Sequence, residues 1–394
     1  MQTWTRRNFF LTTLASGAIA GAQKLFGRTS PNTNGATVKP GDTLLESQAR
    51  LASPAKGTRP LIISSANGHN ALDRGMEILK KGGDTLDAVI AAVTVVEDDP
   101  NDSSVGYGGL PNEDGEVELD ASVMHGPTRR AGSVASVRRI KNVARLAKTV
   151  MERTNHVMLA GPGATRFAVA EGFEEMNLLT EKSRLAWVAW RAATMENWRP
   201  GLDSPEWKEK LAALLDTPEK LGWRDWIEDV IMHPPTGTIP CMAVNEKGDI
   251  SATTTTSGLA WKLMGRVGDS PIIGAGCFAD NDVGAAGSTG KGEENIKISG
   301  GHTIVELMRK GVSPNDACLE ALHRVARNYN EDKTKLRKFH LFFYAINKDG
   351  AHGSASLWRT YGRQHRRAMY AIHDGSAAKL VECATYFDAD GGDA

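Results

Sequence analysis

Apolar positions along the chain fall into short runs and stripes. Pro60-Leu61-Ile62-Ile63-Ser64-Ser65 is a brief apolar run of buried-strand length. Two helices are expected next. The first covers Asn70 to Lys81 and stops at Gly82-Gly83; the second is capped by Asp84, with Asp87 in its first turn and an apolar face of Leu86, Val89, Ile90 and Val93. Alternation over Val117 to Val123 predicts a strand, Val137 to Arg153 a helix with Ile140, Ala144, Ala147 and Met151 on one stripe, and His156 to Ala160 another strand. Strands resume over 239–245, 250–256, 340–347 and 367–373, with helices near 301–310 and 315–328. The second of these helices opens with Ser313-Pro314-Asn315-Asp316, a serine cap with proline at the first helical position. Strands bunch, then helices, then strands again, without strict β-α alternation. This order predicts antiparallel or mixed sheets with helical layers rather than a doubly wound sheet.

Two stretches stand outside that pattern. Residues 1–22 carry Arg6-Arg7 ahead of an apolar run, interrupted by Ser16, Gly17 and Gly21, with small residues at Ala18, Ala20 and Ala22. The run reads as a twin-arginine export signal, which implies a periplasmic or secreted protein, with 23–58 an exposed tether. Residues 184–237 hold six of the nine tryptophans among charges and prolines. They read as a mobile segment of short helices laid over a surface, its indoles anchoring it to the domain body more readily than stacking on a sugar.

Composition narrows the choices. Of 394 residues 41% are hydrophobic and 24% charged, enough for a sizeable core and against wholesale disorder. Lys plus Arg and Asp plus Glu both total 47, so no global positive field gathers nucleic acid or an anionic membrane. Four cysteines without a C-x-x-C do not make a disulfide scaffold, and the ten histidines show no metal-ligand spacing. Gly274-Ala275-Gly276-Cys277-Phe278-Ala279 imitates a dinucleotide fingerprint but runs into Asp280-Asn281-Asp282, which cannot open a phosphate-capping helix. Gly287 to Gly292 imitates a phosphate loop but lacks the earlier glycine and the hydroxyl after Lys291.

The candidate chemistry lies in a hairpin. Thr238 to Asn245 and Asp249 to Thr256 are β-rich runs separated by Glu246-Lys247-Gly248, a three-residue loop with glycine in the left-handed position. Pairing Asn245 with Asp249 and counting outward sets Thr238 opposite Thr256, on one sheet face. Gly237 tolerates strained backbone angles, so Gly237–Thr238 suits attack by the Thr238 hydroxyl on its own preceding carbonyl. Cleavage would expose a threonine whose amine serves as base for its hydroxyl. An ordinary threonine-rich edge strand is the plainer alternative. Downstream, Arg266 and Asp269 lie between turn residues, as a clamp for an α-carboxylate and an α-ammonium or as a structural ion pair. Ala285 to Gly290 reads as a small-residue turn able to bring a hydroxyl and a backbone N–H to one point, as an oxyanion hole requires, or as a plain glycine loop.

With Glu97-Asp98-Asp99-Pro100, Val105-Gly106-Tyr107-Gly108-Gly109, Leu119-Asp120-Ala121, Arg138 to Asn142, Gly237-Thr238-Ile239, Gly265 to Ala275 and Ser288-Thr289-Gly290, the chain resembles the glycosylasparaginase family of N-terminal-nucleophile hydrolases, related to isoaspartyl peptidase/asparaginases. The likeness runs from about Pro60 to the last strands. It implies an α+β fold, an αββα four-layer sandwich, cut into an α-chain part over 59–237 and a β-chain part over 238–394. It implies Thr238 as nucleophile and Thr256 as support for its amine and hydroxyl. Arg266 and Asp269 would hold the aspartyl head group, and Thr289 with the Gly290 N–H would stabilise the oxyanion. The reaction implied is hydrolysis of the side-chain amide of a small-molecule asparagine derivative, GlcNAc-asparagine or another β-aspartyl amide, without metal or cofactor, in a dimer of cleaved protomers. Nucleic acid and membrane partners are not expected.

The chain departs from that pattern twice. His-Asp precedes the threonine in glycosylasparaginases, whereas Thr236-Gly237 stands here, as in the isoaspartyl peptidase branch. A tryptophan commonly lines the aspartyl pocket after the first strand, and this chain has Ser65-Ala66-Asn67. An isoaspartyl peptidase or L-asparaginase is therefore the second reading. An exported amino-acid-binding protein that never frees Thr238 is the reading from another class.

Overall fold

The computed structural model describes residues 57–194, 207–235, 237–362 and 365–391. The expected export signal, nearly all of the tether, and Thr236 lie outside the described residues.

The described chain begins with strand β1 (Leu61–Ser65), helices α1 (Leu72–Lys80) and α2 (Thr85–Glu97), and strands β2 (Leu119–His125) and β3 (Arg130–Val137). Helix α3 (Val143–Arg153), β4 (Met158–Ala160) and α4 (Gly161–Ala170) follow, and α5 (Glu181–Thr194), α6 (Trp207–Leu214) and α7 (Arg224–Met232) lead to the hairpin of β5 (Ile239–Val244) and β6 (Ile250–Thr256). Next come β7 (Cys277–Asp280), β8 (Gly284–Gly290), α8 (Gly292–Ile298), α9 (Gly300–Arg309) and α10 (Pro314–Arg327). The chain ends in β9 (Leu341–Asn347), β10 (His352–Tyr361), β11 (Arg366–Arg367), β12 (Met369–His373), β13 (Ala378–Glu382) and β14 (Ala384–Asp390).

These strands build two sheets. The larger runs β13-β12-β1-β5-β6-β2-β3-β4, antiparallel except for the parallel β3–β4 edge. The smaller runs β11-β10-β9-β8-β7, with β14 parallel to β10. The mixed, largely antiparallel arrangement expected from the ordering of elements is what the chain adopts.

Period-two side-chain alternation divides the interior into separate cores. Ile62 points with Leu72, Val89, Val93 and Leu146 into the core beneath α1, α2 and α3, while Leu61 and Ile63 turn the other way. They join Met242, Ile250, Phe342, Tyr344 and Ile346 in a core that draws on both sheets. Phe343 and Trp358 point from the smaller sheet into a third core with Ile304, Leu322 and Val325 of α9 and α10. With apolar material on both sides, β5, β6 and β9 are buried along their whole length.

β6 is buried despite four consecutive threonines because their hydroxyls find acceptors. Thr253 donates to the Ser122 carbonyl (2.9 Å), Thr254 to that of Gly276 (2.7 Å) and Thr255 to the Glu97 carboxylate (2.8 Å). The helix caps are also as expected: Asp84 accepts from the N–H groups of Leu86 and Asp87, and Ser313 from that of Asp316.

Several expectations are corrected. Residues 130–137 are a strand, and the helix expected from Val137 begins only at Val143. Ala131, Gly132, Ser133, Ala135 and Ser136 carry side chains too small to register as alternation. Ala285 to Gly290 is likewise strand β8, not a turn, paired on both edges with β7 and β9. β7, β10, β13 and β14 went unread for the same want of a clear apolar period. The tryptophan-rich helices have a core of their own, in which Leu185, Leu211, Ile227 and Val230 meet Leu110 and Trp261. Trp190 stacks on Trp261 with ring centroids 5.0 Å apart, and the Trp187 indole donates to the Glu113 carbonyl. Here the indoles anchor the segment. The four cysteines are free and buried.

Candidate active site

The hairpin sets the centre of the site through its register. The Asn245 N–H donates to the Asp249 carbonyl (3.0 Å), Gly248 takes φ +85°, and pairs run from Val244↔Ile250 to Ile239↔Thr255. One step further out, the hydroxyls of Thr238 and Thr256 lie 3.2 Å apart. Thr238 is buried just before β5, its Oγ1 2.8 Å from the Gly237 carbonyl oxygen. Thr256 donates to that same oxygen at 2.7 Å and accepts from the Gly258 N–H at 2.9 Å. Two hydroxyls and one backbone carbonyl therefore converge on Gly237–Thr238. The carbonyl of Thr238 itself is bracketed by the hydroxyls of Ser65 (3.2 Å) and Thr289 (3.4 Å).

A small cavity opens here, lined among others by Gly237, Thr238, Thr256, Arg266, Asp269 and Gly290. Every residue assigned to the site from sequence lies on this cavity except Thr289, which reaches the same place through the Thr238 carbonyl. A larger surface groove beside Asp87, Arg145 and Lys148 contains none of them.

Arg266 and Asp269 are held separately. The Arg266 guanidinium donates through Nε (3.0 Å) and Nη2 (2.7 Å) to Oε1 of Glu293, at the start of α8. Burial alone would raise the Glu293 carboxyl, but Arg266 outweighs it and holds Glu293 below the ordinary range. Asp269 accepts from the Ser288 hydroxyl and from Asn295 Nδ2 (2.7 Å), and Asn295 Oδ1 in turn accepts the Gly300 N–H (2.9 Å). Burial pushes the Asp269 carboxyl above its usual range, opposed by those two donors and by Arg266. A cation arriving in the cavity would favour the ionised form. Gly290 takes φ +118°, and a Cβ there would meet the His340 carbonyl at 2.3 Å, so only glycine lets β8 end beside β9.

Charges below the cavity fix the segment that carries Arg266. Glu118 accepts from Arg138 (2.7 Å) and from the Gly265 N–H (3.0 Å). Buried Lys262 donates to the carbonyls of Glu118 (3.0 Å) and Ser257 (3.1 Å). Burial lowers the Lys262 pKa and raises that of Asp120, each partly offset by the other's charge.

Sequence reasoning missed Glu293, Asn295, Ser65 and Lys262 as parts of the site. Asn295 and Glu293 sit in a polar helix start, where nothing local distinguishes a support for the cavity from a solvated face. Among the described residues, no group of three or more His, Cys, Asp or Glu side chains could hold a metal ion. No helix among them is long and apolar enough to cross a membrane.

The fold mixes helices with two largely antiparallel sheets, and its site gathers two hydroxyls on one backbone carbonyl beside a cavity that carries both a guanidinium and a carboxylate. A family described as Asparaginase matches residues 56–334. The chain is 39% identical over 328 residues to N(4)-(beta-N-acetylglucosaminyl)-L-asparaginase of Elizabethkingia miricola, covering 83% of this chain and 85% of the relative. It is 33% identical over 330 residues to the protein of the same name from Rattus norvegicus, covering 82% and 92%, and 33% identical over 336 residues to that from Mus musculus, with the same coverage. The chain belongs to this asparaginase family.

Proposed function

We propose that the protein is an amidohydrolase that cleaves the side-chain amide of N4-(β-N-acetylglucosaminyl)-L-asparagine, the activity printed in the names of these relatives. Its scaffold is the αββα four-layer sandwich of an N-terminal-nucleophile hydrolase. The α-chain part spans 59–237, including the tryptophan-rich segment before the scissile bond, and the β-chain part spans 238–394. The observation that carries this reading is the Thr238 hydroxyl 2.8 Å from the carbonyl oxygen of its own preceding residue, with Thr256 on the same oxygen.

Maturation comes first. Thr238 Oγ1 adds to the Gly237 carbonyl carbon, and Thr256 donates to the oxygen as it becomes an oxyanion. The C–N bond breaks and the Thr238 nitrogen takes up the proton its hydroxyl lost, leaving Gly237 as an ester on Thr238. Water hydrolyses that ester, and Thr238 is left with a free amine.

Turnover reuses the same hydroxyl. Arg266 binds the substrate α-carboxylate and Asp269 the α-ammonium. The Thr238 amine takes the hydroxyl proton while Oγ1 attacks the side-chain amide carbon. Thr289 and the Gly290 N–H stabilise the oxyanion, the amine departs protonated, and water releases aspartate from the β-aspartyl ester. No cofactor enters these steps. The mature protein is a dimer of cleaved protomers, exported by the twin-arginine route to the periplasm or beyond.

Intact mass and N-terminal sequencing test maturation: two fragments are expected, the second beginning Thr238-Ile239-Pro240-Cys241. A chain that stays whole while still binding ligand would identify an amino-acid-binding protein instead. Gly237 before the nucleophile and Ser65-Ala66-Asn67 after the first strand favour a second reading, a β-aspartyl peptidase or L-asparaginase. Turnover of GlcNAc-asparagine against β-aspartyl dipeptides decides, and no activity on the former rejects the first reading.

A further inference from the structure

Asp102 lies between the two positions at which this chain departs from the glycosylasparaginase pattern, bonded to Asn67 on one side and to Ser104, which packs on Gly237, on the other. Asp102 Oδ1 accepts from both the N–H (2.9 Å) and the hydroxyl (2.6 Å) of Ser104. Its Oδ2 accepts from Asn67 Nδ2 at 3.3 Å, and the single Ser65 hydroxyl proton is shared between Asn67 Oδ1 (2.6 Å) and the Thr238 carbonyl (3.2 Å). On the other arm, Ser104 Oγ stands 1.9 Å, and its Cβ 2.0 Å, from where a Cβ on Gly237 would be. The Ser104 side chain thus fills the space in which a side chain at position 237 would begin. The Ser104 carbonyl also accepts the N–H of Ser257, the residue after Thr256 (2.9 Å).

We propose that Asp102 is a positioning residue for self-cleavage at Gly237–Thr238. Through Ser104 it holds Gly237, and through Asn67 and Ser65 it holds the Thr238 carbonyl, so the scissile carbonyl stays in reach of the Thr238 hydroxyl. The pair Asp102–Ser104 takes the place of a side chain at 237, and Ser65-Ala66-Asn67 supplies the second arm. This inference rests on the self-cleavage reading. Asp102 acts through geometry, and a displacement of about 1 Å is enough to cost ~100-fold in rate.

The test is a time course of single chain converting to two fragments in freshly produced full-length protein. Asp102→Ala is expected to slow cleavage ~100-fold. A swap supplies the second measurement. Gly237→Ser alone clashes with Ser104 and is expected to block cleavage, Ser104→Gly alone to slow it, and the double variant to recover it to within about tenfold of wild type. Wild-type cleavage rates in Asp102→Ala would overturn the proposal and leave self-cleavage standing. A wild-type chain that never cleaves would remove both. If Asp102→Ala also lowers the melting temperature, the swap decides: recovery supports the proposal, and its absence overturns it.

Discussion

The hairpin and the arm that faces it across the cavity are built by opposite means. Thr238 and Thr256 meet because backbone register brings them together, residue pair by residue pair from Val244↔Ile250 outward. Arg266 and Asp269 come from a segment outside the named strands, and other elements fix them: Glu293 on one, Ser288 and Asn295 on the other, Glu118 on the backbone between Met264 and Arg266. The groups proposed to react, set by register, inherit the rigidity of a sheet buried on both faces. The groups proposed to bind, set by side-chain contacts, can be displaced by a single substitution tens of residues away. Damage to the hairpin should therefore abolish chemistry, and damage to the arm should weaken binding with chemistry preserved.

The largest effect tests the first half of that contrast. Thr238→Ala removes the one hydroxyl that the proposed maturation and the proposed turnover both use, so a single full-length chain with turnover lowered by at least ~10⁴-fold is expected. Retained activity would refute the nucleophile. Thr256→Val keeps the volume and the strand propensity but takes the donor from the Gly237 oxygen. Fragment formation should slow by roughly 10²-fold, the cost of one oxyanion donor, with the melting temperature little changed. An unchanged cleavage rate would mean that Thr256 only packs.

Next in size are the lesions to the arm. Arg266→Ala removes the guanidinium that lines the cavity, and KM should rise by roughly 10²-fold, with a smaller change in kcat and normal fragment formation. Glu293→Gln leaves Arg266 charged but weakens a charge-assisted contact to a single neutral acceptor, and a KM increase of about tenfold is expected. If Glu293→Gln lowered kcat instead, or stopped cleavage, the separation of hairpin from arm would fail.

The same contrast explains what could be read before the fold was known. The Glu246-Lys247-Gly248 loop determines the register, and register determines the threonine pair, so that half of the site follows from local sequence. Arg266 and Asp269 are visible as chemistry between turns. Their supports are not, since Glu293 and Asn295 acquire meaning only when α8 packs against the cavity. Ser65 is similar: it reads as the end of a strand until β1 pairs with β5 and brings it to the Thr238 carbonyl. The central strands rich in Ile, Phe and Thr announce themselves, whereas Arg130–Val137 and Gly284–Gly290 are made of small residues that pack closely and leave no apolar period.

The effect furthest from the reacting bond lies beneath the hairpin, where Glu97 supports it from the core side. Its Oε1 accepts from Thr255, the neighbour of Thr256, and from the Ala144 N–H. Burial pushes its pKa from 4.5 up to about 7, against the pull of those donors. A carboxyl whose folded pKa exceeds its unfolded one binds its proton more tightly when folded. Its contribution is complete below about pH 4.5 and is lost as pH rises through about 7, a change of about 3 kcal/mol at 1.36 kcal/mol per unit. Glu97→Gln keeps the shape and removes the titration. Melting temperatures at pH 5 and pH 8 should differ less in this variant than in wild type, with the hairpin register and the maturation rate at pH 5 preserved. An equal pH dependence in both proteins would mean that Glu97 is ionised in the fold. The hairpin would then rest on a buried charge rather than on a neutral hydrogen-bonding group.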